Sequence, residues 1–433
     1  MRKIFFLLAI LPLSAAASMG SMFGFGPHSM AMGGVNTIQD DASPFNSFSN
    51  PAQLGEISNV MISAGYLNMD VHLRSFGTLV LNSNGTQGDF NNSGVMSGSG
   101  ETLGIAFPIG ARTHPLTIAA SFYLPSGSLV RVTGSPVDYP FYPMYSDISK
   151  NMFFMVGLGY RIWNALHFGV GFSSTTESIA LYQLRADNTI NYSASAVEAR
   201  TRTRISFSFL YDFAKKERNP HPLSLYLVYR AKSSLETKLY ADISSFVPVQ
   251  GVLNSTPSFS PSEWILGAAG NIGEHTKLSV DVSKVLWSEY SSPYGTGNIN
   301  SYVIGTRQAS AGFKDVIVPR VGLEHKILLA KPSIKILSYR AGGFYYSTPV
   351  PDQTGDTNFV DSKRITTTAG VGLGLKDPWA KKEDALMQFD FFAQWNYLVR
   401  RNVTKALANN VGAPGYSSGG SIFVYGLNAT FEF

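Results

Sequence analysis

Histidine is the side chain best suited to acid–base and metal chemistry near neutral pH. A lipase built into a barrel strand needs a His and a Ser two positions apart, so that the imidazole can take the hydroxyl proton. None of the seven histidines has a serine at that spacing, no pair has metal-ligand spacing, and no Gly-rich loop precedes a helix. We therefore expect no enzyme, no metal and no cofactor. The histidines are His28, His72, His114, His167, His221, His275 and His325.

The composition excludes further classes. Charged residues make up 15% of the chain, against about 25% in an average soluble protein. The net charge of +5 is spread without a basic run, so nucleic acid is not an expected partner. The absence of cysteine rules out disulfides and thiol chemistry. Low charge with many glycines and aromatics favours strands that face something other than water.

The first residues have the pattern of a secretion signal. Arg2 and Lys3 precede a short apolar run, and Ala15-Ala16-Ala17 offers a small-residue cleavage site. Residues 1–17 are therefore predicted to be a signal peptide, with an uncleaved anchor as the alternative. No later stretch reaches the roughly 20 apolar residues of a transmembrane helix.

The rest of the chain alternates apolar and polar residues, as strands do. Phe423, Tyr425 and Leu427 fall on one face near the end of the chain, opposite Gly426 and Asn428. The strands are about ten residues or longer, enough to cross a bilayer, and long and short connections alternate between them. We predict an all-β fold, a 14-stranded antiparallel transmembrane β-barrel over residues 58–433 in the bacterial outer membrane. The strands are expected near 59–67, 101–109, 115–124, 151–161, 165–181, 201–213, 222–241, 262–271, 276–290, 310–326, 333–347, 364–375, 386–400 and 421–433.

Residues 18–57 break the strand pattern with several Gly and Pro residues. The segment is too apolar for a solvated tail, since it carries Phe23, Phe25, Met30 and Met32. We predict that it folds into the lumen as a plug, or hatch; a flexible leader is the alternative.

Several motifs resemble those of one family. The plug contains Gly33-Gly34, Asp40-Asp41-Ala42 and Asn50-Pro51-Ala52, and later segments run from Pro319 to Glu324 and from Arg340 to Asp352. In this order they resemble the FadL/TodX family of outer-membrane long-chain fatty acid and hydrocarbon transporters. The loops 68–100, 125–150 and 182–200 match no part of the family that we can place.

The resemblance implies two further features. Pro125-Ser126-Gly127 resembles the family's Pro-x-Gly at the end of the third strand, which in the family has a kink that opens the barrel wall sideways. Phe433 resembles the terminal aromatic residue that the barrel-assembly machinery reads.

Charged residues inside the lumen allow two interpretations. Arg340 lies on the opposite face from Tyr339 and Ala341, and a charge facing lipid would cost about 2–4 kcal/mol near the midplane. Such charges could form a ladder that braces the barrel or holds the plug. Alternatively Arg340, Arg320 or Lys284 attracts a carboxylate head while Phe23, Phe25, Met30 and Met32 take the apolar tail.

The predicted function is passive uptake of hydrophobic small molecules such as long-chain fatty acids by a monomer among outer-membrane lipid and lipopolysaccharide. No ATP site is visible, so flow would be downhill. The alternatives are a general porin and a structural barrel without a hydrophobic ligand.

Overall fold

The computed structural model describes most of the chain after the predicted signal peptide. The predicted signal peptide and Asp40-Asp41 lie outside the described residues. Those residues are 19–37, 42–81, 85–90, 95–110, 115–127, 139–145, 151–163, 165–187, 189–213, 223–242, 250–290, 296–299, 302–304, 311–329, 331, 333–355, 357–376 and 386–433.

Fourteen antiparallel strands close into a barrel, which confirms the predicted fold class. Closure occurs where the first strand pairs with the last, in register from Met61 opposite Glu432 to Leu73 opposite Gly420. A closed barrel leaves no sheet edge and satisfies the backbone inside lipid. The strands are β1 Met61–Leu73, β2 Gly98–Ile109, β3 Leu116–Pro125, β4 Met152–Arg161, β5 Leu166–Asp187, β6 Thr189–Phe213, β7 Leu223–Arg230, β8 Glu263–Asn271, β9 Thr276–Val285, β10 Val316–Leu328, β11 Ile334–Tyr346, β12 Arg364–Lys376, β13 Leu386–Thr404 and β14 Gly415–Glu432.

Side chains alternate between the lumen and the outer surface along each strand. In β6, Ile205, Phe207 and Phe209 are exposed on the outside, whereas Arg204 and Ser208 are buried inside. An apolar outer surface with a polar lumen is the pattern of outer-membrane barrels, which agrees with the predicted outer-membrane location. Among the described helices, none combines the length and apolar content that a membrane-spanning helix needs.

The two ends of the barrel differ in their connections. The tight turn at 272–275 and the short connection between β4 and β5 lie at the end where β1 begins and β14 ends, which is the periplasmic end by the barrel rule. The third strand, β3, pairs with β2 and β4 without a register shift, and Gly127 just beyond it has φ of 102°. The described pairing of this strand therefore contains no β-bulge.

One predicted strand is wrong in extent. Residues 222–241 are not one barrel strand, because β7 ends at Arg230, opposite the first residue of β8. Beyond that point the chain leaves the barrel ladder, and Ser233–Asp242 pairs with Gln250–Ser260 in a separate extracellular sheet. Similarly, β9 ends at Val285 and a 3-10 turn, Trp287–Glu289, follows it.

The N-terminal segment lies inside the barrel. Its elements are helices α1 Met19–Phe23, α2 Pro27–Ala31 and α3 Asn46–Ser49, and the 3-10 turn Pro51–Glu56. Helix α2 packs against β11–β14, while α3 and the 3-10 turn pack against β3–β6. The segment therefore crosses the lumen and touches opposite sides of the wall.

Candidate functional site

Ion pairs line one side of the lumen, from β7 to β13. Arg340 donates from Nε to Glu324 at 2.7 Å and from Nη1 to Asp390 at 2.6 Å, and all three side chains are buried. These buried guanidinium groups face carboxylates, which offset part of the cost of removing the charges from water. We call this set the charged belt, which comprises Arg230, Glu263, Asp281, Arg320, Glu324, Arg340 and Asp390.

The charged belt also holds the plug. Arg230 donates to Glu263 at 2.8 Å and to the carbonyl oxygen of Ser49 at 2.8 Å. Asp281 accepts from the backbone N–H and the side-chain amide of Asn36, each at 3.0 Å. Wall charges that bond to plug backbone fix the plug's orientation as well as its position.

Two plug motifs touch the wall closely. Gly33 has φ of 71°, and a Cβ there would lie 2.5 Å from the backbone N of Gly343. In Asn50-Pro51-Ala52, the side chain of Asn50 bonds to Thr37 and the Ala52 N–H donates to Ser208 Oγ at 2.7 Å. Both motifs therefore make their observed contacts with the rest of the plug and with the barrel wall.

The predicted basic residues fall in different places. Arg340 and Arg320 face the lumen, and Arg320 Nη1 lies 3.4 Å from Asp281. Because carboxylates already face both guanidiniums, the structure favours the bracing ladder over a carboxylate-binding role for them. Lys284 is exposed on the outer face, so the expectation that it faces the lumen is wrong. It shares the parity of Val280 and Val282, and it lies beside the extracellular end of β9.

Aromatic side chains from the extracellular loops pack together above α1. The rings of Phe259, Tyr290 and Phe313 are 5.2 Å and 5.1 Å apart in succession, and Phe313 is 5.3 Å from Phe359. These rings form one continuous buried cluster with the plug side chains Met19, Met22, Phe23, Phe25 and Met30. We call the rings on the extracellular side the aromatic cap, which comprises Phe76, Phe141, Tyr142, Tyr145, Phe259, Trp287, Tyr290, Phe313, Phe359 and Tyr416.

Arg364 lies between the aromatic cap and the plug. Its side chain is fully buried, and its guanidinium lies 4.9 Å from the ring centroid of Phe344, 5.3 Å from Tyr346 and 5.5 Å from Phe23. Nη2 donates to the Met22 carbonyl oxygen at 2.8 Å, while Nε and Nη1 have no hydrogen-bond partner among the described residues. No described carboxylate lies within ion-pair distance of Arg364, so cation–π contacts are its main compensation.

The predicted tail-binding residues divide into two groups. Phe23 contacts Arg364, whereas Phe25 packs against Phe45 and Phe153 at 5.3 Å and 5.8 Å between ring centroids. Met30 is buried in the same cluster, but Met32 lies against Gly322 of the wall, where a Cβ would be 2.5 Å from the Met32 oxygen. Of these side chains, Phe23 is the one that borders the aromatic cap through Arg364.

The space beside α1 is small in this conformation. A cavity of about 20 Å³ lies between Met22, Arg204, Glu263, Trp287 and Tyr346. That volume holds about one water molecule, so a hydrocarbon chain would have to displace side chains here.

A third group of side chains was missed by the sequence analysis. Glu56, His167 and Asp212 meet at the periplasmic end, with their ligand atoms all within 4.8 Å of one another. The cluster contains one histidine, and its three residues come from the plug and two strands, at positions far apart in sequence. No local pattern could have joined them.

Comparisons with known proteins agree with this architecture. No protein-family profile matches the chain. Alkane uptake protein A of Marinobacter nauticus is 22% identical over 406 residues, covering 85% of this chain and 82% of the relative. A Pseudomonas aeruginosa FadL homologue superposes with a TM-score of 0.60 at 15% identity, covering 98% of this chain and 100% of the other. The Pseudomonas putida toluene transporter TodX gives a TM-score of 0.53 at 14% identity, with coverages of 95% and 99%.

The likenesses to solved structures show a shared fold. They confirm the predicted resemblance to the FadL/TodX family, which was based on short motifs in order along the chain. The named relatives are an uptake protein, a FadL homologue and a transporter, which supports the expectation that the chain is not an enzyme.

Proposed function

We propose that this protein is a passive outer-membrane channel that takes up hydrophobic small molecules, with long-chain fatty acids as the favoured class. The observation that carries the proposal is the single apolar cluster that runs from the extracellular loops to the plug. Such a cluster offers an apolar solute a desolvated path past the polar outer leaflet. The similarity to an alkane uptake protein and to toluene transporters supports the hydrophobic class.

Arg364 is the reason to favour a carboxylate-bearing ligand. Its Nε and Nη1 are buried donors without a partner among the described residues, and a guanidinium binds a carboxylate well in a site shielded from water. A fatty acid could place its head on Arg364 and its tail among the rings of the aromatic cap. An alkane would use the rings alone.

The ligand would move down its concentration gradient. Binding in the aromatic cap would displace side chains above α1, since the present cavity holds no hydrocarbon. Passage then requires the plug to shift, because the plug segment touches opposite sides of the wall. A general porin is a poorer fit, since a water-filled pore needs an open lumen.

The test is direct binding to the purified barrel in detergent. Tritiated palmitate and hexadecane, two chains of equal length, are measured against wild-type protein and Arg364→Met. We expect both ligands to bind wild type, and the variant to lose about tenfold or more in palmitate affinity, the scale of a lost charged hydrogen bond, while it keeps hexadecane. Equal palmitate binding by the variant would remove the carboxylate assignment and leave the hydrophobic channel standing.

The broader proposal has its own test. Mass spectrometry of molecules released from the purified barrel should find elongated apolar compounds. Swelling of proteoliposomes by small sugars, without any retained apolar ligand, would instead identify a porin.

A further inference from the structure

Three side chains with metal-binding atoms meet where the plug ends at the periplasmic side. Glu56 is the last residue of the 3-10 turn, His167 is the second residue of β5, and Asp212 is the second-last residue of β6. Their ligand atoms lie within 4.8 Å of one another. His167 and Asp212 are buried, with Nε2 and Oδ2 3.4 Å apart.

The burial of the His167 imidazole without a described hydrogen-bond partner points to a ligand. Its side chain is completely buried, yet neither ring nitrogen has a hydrogen-bond partner among the described residues. Buried imidazoles are nearly always hydrogen-bonded or bound to a metal, because desolvating their polar atoms without a partner is costly. The ring faces the two carboxylates, which is the arrangement that a cation would complete.

The surroundings orient the ligands. The Ser224 hydroxyl donates to Asp212 Oδ1 at 2.5 Å, while Oδ2 faces His167. Supporting hydrogen bonds of this kind are typical around metal ligands. Gly55 brings the turn close to the wall, since a Cβ there would lie 3.2 Å from His167 Nδ1. The plug turn, β5 and β6 are thus held together at one point.

A cavity at the periplasmic end of the barrel borders the cluster at Glu56. This cavity of about 240 Å³ opens beside the 3-10 turn, and its lining includes Glu56, Asn59, Arg161 and Glu432. Glu56 belongs both to this cavity and to the three-residue cluster. A hydrated cation could therefore enter, exchange water for the Glu56 carboxylate, and then bind the deeper groups.

We propose that Glu56, His167 and Asp212 bind one divalent transition-metal ion of the Zn²⁺ class and thereby fasten the end of the plug to the barrel wall. One imidazole and two carboxylates are ligands that Zn²⁺ accepts, with water as the fourth. Metal–ligand bonds of about 2.1 Å place the ligand atoms roughly 3.5 Å apart, so closure needs side-chain movements of about 1 Å. Two carboxylates also balance the ion's charge.

Zinc binding to the folded full-length barrel tests the proposal. Protein in detergent is stripped with a chelator, dialysed against Zn²⁺, and analysed for bound metal, with affinity from calorimetry. The variants are Glu56→Gln, His167→Asn and Asp212→Asn. The matched control is His325→Asn, which removes an exposed histidine from the same rim. We expect one equivalent for wild type and control, and at least about tenfold weaker binding in each ligand variant.

A second measurement separates metal binding from misfolding. Unboiled electrophoretic mobility identifies folded barrels, and if His167→Asn does not fold, Glu56→Gln carries the test because Glu56 is only half-buried. Hydrogen exchange of residues 51–57 should slow when Zn²⁺ is added to wild type and stay unchanged in Glu56→Gln. Wild-type protein without bound zinc, or equal zinc in Glu56→Gln and the control, would overturn the site. Bound zinc with unchanged exchange would overturn the fastening role.

Discussion

The charged belt and the aromatic cap bury their cations in opposite ways. In the belt, Arg340 has Glu324 and Asp390 within hydrogen-bond distance. In the cap, Arg364 lies among aromatic rings, with two donor atoms lacking partners among the described residues. A network of guanidinium–carboxylate pairs resists change and positions the plug, whereas a buried cation with no described carboxylate within ion-pair distance is prepared for a ligand. The difference indicates that the charged belt holds the plug and that the aromatic cap binds the ligand.

The largest effect is expected from Arg340→Met, which tests whether the charged belt stabilises the barrel. It leaves Glu324 and Asp390 buried without their shared guanidinium, and removal of one partner from a buried pair costs about 3–5 kcal/mol. We expect a lower unfolding free energy, measured by reversible denaturation in lipid vesicles. The control is Lys284→Met, which removes a cation from the outer face and should change stability little. Equal losses in both variants would show that the charged belt does not stabilise the barrel.

The next largest effect concerns the plug's contact with the wall. Gly33 has a positive φ, and Gly33→Ala adds a Cβ that would lie only 2.5 Å from the backbone nitrogen of Gly343. Gly85→Ala is the matched control, since Gly85 has φ of 79° with nothing within 4 Å of the added carbon. The strain of φ alone costs about 1–2 kcal/mol. We expect Gly33→Ala to lower the unfolding free energy more than Gly85→Ala does, and to speed hydrogen exchange in the plug. Equal losses in the two variants would mean that the close approach of Gly33 to the wall is unimportant.

A third prediction sharpens the division within the plug. Phe23→Ala should lower affinity for an apolar ligand about tenfold, or about 1.4 kcal/mol, because Phe23 borders Arg364 and the cap. Phe25→Ala should instead loosen the plug, since Phe25 packs on Phe45 and Phe153. Ligand yield by mass spectrometry and plug exchange rates distinguish the two. Identical effects from both changes would contradict a boundary between binding and holding.

Much of this architecture could be predicted from local pattern. Alternating side chains located all fourteen strands, because lipid on one side and polar groups on the other enforce a period of two. The predicted strand ends were wrong where pairing depends on residues distant in sequence. At Arg230, for example, β7 ends because it lies opposite the first residue of β8. Lys284 was predicted to face the lumen, although its position two residues after Val282 indicates the outer face. The surroundings of Arg364 could not be predicted from local pattern, because the aromatic rings around it come from three separate segments, namely the plug, residues 139–145 and β11.

The smallest expected effect is a pH dependence of the extracellular loops. Burial raises the pKa of Asp361 from 3.8 to about 7, partly offset by Thr348, Arg364 and Arg401. A carboxyl with a raised pKa suits the fold when protonated, so loop packing is complete below pH 3.8 and weakens as the pH rises through about 7. Because loops open locally before the barrel unfolds, the change should appear in hydrogen exchange of residues 357–363 and leave global unfolding nearly constant. Asp361→Asn, which keeps the shape without the charge, should remove the dependence between pH 5 and 8. If the variant kept the same pH profile, the titrating group would lie elsewhere in the extracellular loops.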